Sequence, residues 1–64
     1  MKFEDFKPTN ILQADLLRDI KRKYKGLVKE IVPTSNGLDI TDLEGTTYSV
    51  YKRYGTNWVQ YSRK

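Results

Sequence analysis

Tyr51, Arg53, Trp58 and Gln60 are the residues whose types and spacing most directly suggest chemistry, and that chemistry is recognition. Residues 51 and 53 fall on one face of an extended segment, and 58 and 60 on one face of the next. A two-residue turn at Gly55-Thr56 sets Arg53 opposite Trp58 and Tyr51 opposite Gln60. Two rings side by side with a guanidinium at their edge form a flat platform, and a nucleic-acid base stacked on such a ring contributes about 1 to 3 kcal/mol. Trp, Tyr and Arg also dominate protein interfaces. Without any ligand, Tyr and Trp favour strands for their shape, and Arg covers Trp by a cation–π contact of about 1 kcal/mol.

A second candidate group is basic. Arg18, Lys21, Arg22 and Lys25, with Lys23 between them and Lys29 just beyond, could grip phosphates and release counterions. The plainer account is a solvated helix face, since Lys and Arg are strong helix formers and suit a helix C-terminus. Asp39, Asp42 and Glu44 invite a cation or acid–base reading, but their spacing matches no calcium loop and carboxylates are common in turns. Gly37, Gly45 and Gly55 punctuate hairpins; a phosphate loop would need its glycines clustered between a strand and a helix.

Composition narrows the function classes further. The 64 residues include no Cys and no His, which removes disulfides, Cys/His zinc sites, Ser-His or Cys-His nucleophiles and a histidine switch. A chain this short forms one small domain over residues 1–64 with little room for a buried cleft. The expectation is therefore a non-enzymatic protein with no cofactor and no metal. No apolar run approaches the roughly 18 residues that span a bilayer, and the start alternates charge with Phe, so a cytoplasmic, non-membrane chain is expected. Its net charge of +4 is unevenly spread: residues 1–17 sum to −1, 18–29 to +5, 30–45 to −4 and 46–64 to +4. Such segregation suits a polyanionic partner, and it equally lets the acidic and basic parts face each other within the fold or across a dimer.

These groups need elements to position them. Asn10 is a good N-cap with Gln13 three residues on, so a helix is expected over 11–25. Its apolar stripe is Leu12, Gln13, Leu16, Leu17, Ile20 and Tyr24, and Gly26 is expected to supply the left-handed residue that ends it. Beyond Leu27 the period becomes two, and glycine-bearing turns divide the rest into segments 27–34, 38–43, 46–54 and 57–63. A three-residue loop at Ser35-Asn36-Gly37 pairs Val32 with Ile40. The same geometry at Leu43-Glu44-Gly45 pairs Ile40 with Tyr48 and Leu38 with Val50, and the last turn pairs Val50 with Tyr61. One sheet face then carries Val28, Val32, Leu38, Ile40, Tyr48, Val50, Val59 and Tyr61 beneath the helix. The other carries Lys29, Ile31 and the aromatic platform, with Phe3 and Phe6 closing one end of the core.

The expected fold is α+β, one N-terminal amphipathic helix packed on a four-stranded antiparallel β-meander. The order of a helix followed by short bent strands is similar to that of Sm-like and other small SH3-like barrels, so a closed barrel is the alternative. Two function classes follow. One is nucleic-acid binding, single-stranded favoured, through Tyr51, Arg53, Trp58 and Gln60 with Arg18, Lys21, Arg22, Lys25 and Lys29. The other is a small protein-binding modulator of the kind found among phage and mobile-element proteins.

Overall fold

Asn10 starts the helix in the computed structural model, which describes every residue except Tyr54 and Thr56. Its side chain accepts from the Gln13 N–H at 2.8 Å, and α1 runs from Ile11 to Tyr24. Gln13 completes the cap one residue further back than a capping box would, since its Oε1 accepts from both the backbone N–H and the hydroxyl of Thr9. At the other end Lys25, at φ 46°, takes the left-handed role ahead of Gly26 at φ 86°. The helix thus ends one residue earlier than expected.

Four strands follow: β1 (Val28–Pro33), β2 (Gly37–Asp42), β3 (Thr47–Lys52) and β4 (Val59–Arg63). They pair antiparallel in the order β1-β2-β3-β4, and the sheet is open, so the closed-barrel alternative does not hold. Helix α1 lies over the central strands β2 and β3. Leu16, Leu17 and Ile20 from the helix meet Val28, Ile31, Leu38, Ile40 and Val50 from the sheet, with Phe6 closing the core. Leu12, expected on the buried stripe, is 38% exposed in the first turn of the helix.

The register matches expectation across β2–β3 and β3–β4. Leu38 pairs with Val50, Ile40 with Tyr48, Val50 with Tyr61 and Lys52 with Val59. The three-residue loop Leu43-Glu44-Gly45 is present, with Gly45 at φ 89° and the Asp42 carboxylate accepting from the N–H groups of Glu44 and Thr46. That carboxylate is therefore part of the turn's construction. Gly55 has φ 76°, while the expected Gly55-Thr56 turn type lies outside the described residues.

The first hairpin differs by one residue. Ile31 pairs with Ile40, Val32 with Asp39 and Pro33 with Leu38, and the Thr34 N–H donates to the Gly37 carbonyl across Ser35-Asn36. Ile31 is therefore fully buried and Val32 half exposed, the reverse of the expectation. Two devices account for the slip. Gly37 is a strand residue opposite Tyr51, where a Cβ would stand 2.0 Å from the Val50 carbonyl oxygen, so its lack of a side chain serves close approach to β3 and leaves the turn to Ser35-Asn36. A bulge between Val28 and Glu30 then lets Val28 and Ile31, three residues apart, both point at the helix.

Candidate binding surface

A second stripe runs along α1 beside the apolar one. Asp15, Arg18, Asp19 and Arg22, at helical spacing, form one wall of an open cleft whose other wall is Lys52, Asn57, Trp58 and Val59 from the β3–β4 hairpin. Lys52 reaches this cleft because it shares the helix-facing side of β3 with Val50 and pairs with Val59.

The carboxylates organise the cleft. Asp15 holds Lys52 at 3.1 Å and Arg18 at 3.7 Å, and Asp19 holds Arg22. Asp19 also accepts from the Tyr61 hydroxyl at 2.6 Å. Burial and then this contact with Asp19 push the Tyr61 phenol well above its ordinary range. Burial, with Tyr48 and Asp42 nearby, also raises Tyr24. The rings of Tyr24 and Tyr61 meet edge-on at 5.8 Å, and the Lys23 ammonium sits 3.9 Å from the Tyr61 ring centre. Ion pairs this exposed contribute about 0 to 1 kcal/mol each, so their main effect is to set where the charges stand.

The sequence-derived site divides across the molecule. Tyr51 and Gln60 face each other on β3 and β4, both half-buried, with the Tyr51 hydroxyl 3.2 Å from the Ser62 hydroxyl. Arg53 donates its backbone N–H to the Trp58 carbonyl at 3.4 Å, and both side chains are exposed, Trp58 at 74%. The indole borders the cleft that Arg22 lines, so the aromatic group and part of the basic helix do come together. Arg18 joins them in that cleft. Lys21 and Lys25 are exposed on the helix but do not line it. Lys29 does not converge either: it sits near Lys2 and Glu4 beside β1, at the opposite margin of the sheet.

Asp15, Asp19, Lys52 and Tyr61 are parts of the surface that the platform argument passed over. Their signals were the i,i+4 spacing of the two aspartates next to the apolar stripe and the strand parity that turns Lys52 and Tyr61 toward the helix. On the outer face Lys64 meets Asp39 at 2.6 Å, which places both charge signs there as well. No protein-family model, characterised protein or solved structure matches the chain. No helix among the described residues is long and apolar enough to cross a membrane.

Proposed function

We propose that this chain is a non-enzymatic protein-binding module whose contact surface is the margin of the sheet along β4, with Trp58 at one end. The observation that supports it most is the state of the cations that line the cleft. Arg18 and Lys52 are held by Asp15 and Arg22 by Asp19, so the cleft presents alternating charges instead of a one-signed path. A phosphate chain gains most from uncompensated cations. A protein segment carries both signs along with donors, acceptors and apolar groups, and Trp and Arg are the residues that anchor such contacts.

Selection of displayed random peptides on the immobilised chain tests this reading. The expected outcome is enrichment of sequences that compete for one site and are lost with Trp58→Ala. Trp58 is the chain's single tryptophan, so its emission reports occupancy directly. Failure to enrich any competing set would sink the reading.

Single-stranded nucleic acid is the second reading, supported by the exposed indole beside Arg53 on one strand pair. Titrating a labelled oligonucleotide at several salt concentrations separates the two. On this reading Trp58→Ala weakens binding by about 1 to 3 kcal/mol with the salt slope kept, while Arg22→Ala with Lys25→Ala flattens the slope by about one to two units. Absence of oligonucleotide binding at low salt removes it.

A further inference from the structure

We infer that the outer edge of β4 receives an extended acidic segment of a partner protein as a fifth strand, an inference that rests on the protein-binding reading above. Main-chain geometry supplies the first argument. The Lys64 N–H donates to Thr47 and the Trp58 carbonyl accepts from Arg53, so the even-numbered residues of β4 direct their backbone groups at β3. By alternation Val59, Tyr61 and Arg63 direct theirs away from the sheet, and β4 ends the strand order. Their repeat of about 7 Å is that of an extended peptide, which can answer each N–H with a carbonyl and each carbonyl with an N–H. A phosphodiester chain carries no donor for those carbonyls.

Charge supplies the second argument. Within the cleft Asp15 and Asp19 offset part of the charge of Arg18, Arg22 and Lys52, while Lys23 over the Tyr61 ring and Arg63 on β4 add two positive charges outside it, so among these described residues the margin is positive by three. An excess of three positive charges favours a segment with carboxylates at alternate positions, aimed over the edge toward the helix cations. A second copy of β4 would bring Arg63 and Lys64 against the same cations. Val59 and Trp58, where strand edge and cleft meet, offer the apolar contact that such a segment needs at one end.

The probe is a capped heptapeptide alternating Glu with Val, added to the full chain. Binding is expected to slow amide exchange at Val59, Tyr61 and Arg63 by about tenfold or more and to change Gln60 and Ser62 little, since the latter two already bond inward. The same peptide N-methylated at alternate residues loses those hydrogen bonds and is expected to bind about tenfold more weakly. A Lys–Val heptapeptide is expected not to bind. Arg63→Pro removes an outward N–H and is expected to weaken binding more than Arg63→Gln, which removes only the charge. Should Arg63→Pro melt early, the N-methylated peptide makes the same comparison on the unaltered chain.

The inference is overturned if the Glu–Val peptide does not bind at millimolar concentration, or binds without protecting the three amides. Equal binding of the N-methylated form, or protection of the same amides by oligothymidine in its place, overturns it too. Selection of other competing peptides alongside such a failure leaves the protein-binding reading standing and removes only the fifth strand, whereas failed selection removes both.

Discussion

The two edges of the sheet are finished in different ways. At β1 the N-terminal segment lies alongside: the Ile31 N–H donates to the Met1 carbonyl at 2.9 Å, Lys2 bridges to Glu30, and a bulge bends the strand. These are means by which a β-protein keeps an edge from recruiting another chain. At the other margin β4 is the outermost strand among the described residues, and the helix cleft with its alternating charges runs beside it, ending at Trp58. Within one sheet, then, one edge is lined by the chain's own residues while the other is left beside the side chains best suited to recognition.

The contrast is broken most severely at the core of the closed edge. Ile31→Ala is expected to cost about 2 to 5 kcal/mol, as are Leu16→Ala and Ile20→Ala beneath the helix, whereas Val32→Ala stays within about 0.5 kcal/mol. Urea melts decide it, and equal effects at 31 and 32 would mean that β1 can slip. Next comes Gly37→Ala, which drives a methyl into the Val50 carbonyl and is expected to cost about 1 to 3 kcal/mol. Its signature is faster amide exchange in the first hairpin and in β3 near Val50, with β4 changed less.

Removing Met1 and Lys2 opens the closed edge directly. The lost bonds are expected to cost about 0.5 to 1.5 kcal/mol and to increase concentration-dependent association relative to the intact chain. Sedimentation at two concentrations measures this, and a truncated chain that associates no more than the intact one would show that the N-terminal residues do not guard β1. The mildest effect lies at the open edge and depends on pH. The folded state raises the Tyr61 phenol above its usual value near 10, so the stability it contributes is complete below about pH 10 and is lost as pH rises beyond that. Tyr61→Phe should therefore decline less steeply than wild type in urea midpoints taken from pH 9 to 11. A parallel decline would mean that the Asp19 contact does not bear on alkaline stability.

Much of this architecture was legible because its signals were local. Asn10 capped the helix, the spacing of Leu16, Leu17 and Ile20 marked its buried side, and Gly45 in a three-residue loop located the partners of β2 and β3. The first hairpin misled for an equally physical reason. A glycine after Ser-Asn reads as a left-handed turn residue, and only the nearness of Val50, thirteen positions on, shows that Gly37 is there for lack of a Cβ. The shorter turn set Ile31 opposite Ile40, and the bulge near Lys29 then kept Val28 on the same side, which alternation alone could not anticipate. Of the candidate surface, the exposure of Trp58 and its place across from Arg53 followed from strand parity, but its expected position on the face opposite the helix did not hold, since just ahead of β4 the indole borders the cleft that Asp19 and Arg22 line. The parting of Lys29 from Arg22 did not follow from parity either, because it depends on which sheet edge each element borders.

Sequence by itself determined the helix, its cap, the strand count, the two later registers and the absence of thiol and imidazole chemistry, since each rests on residue type or short-range periodicity. Tertiary structure alone decided that Asp15 and Asp19 would hold Lys52, Arg22 and the Tyr61 hydroxyl, and that the N-terminus would close one sheet edge while β4 stayed open. Those contacts join residues up to 42 positions apart. Their formation depends on where α1 crosses the sheet, a result of packing a whole apolar stripe that no local pattern encodes.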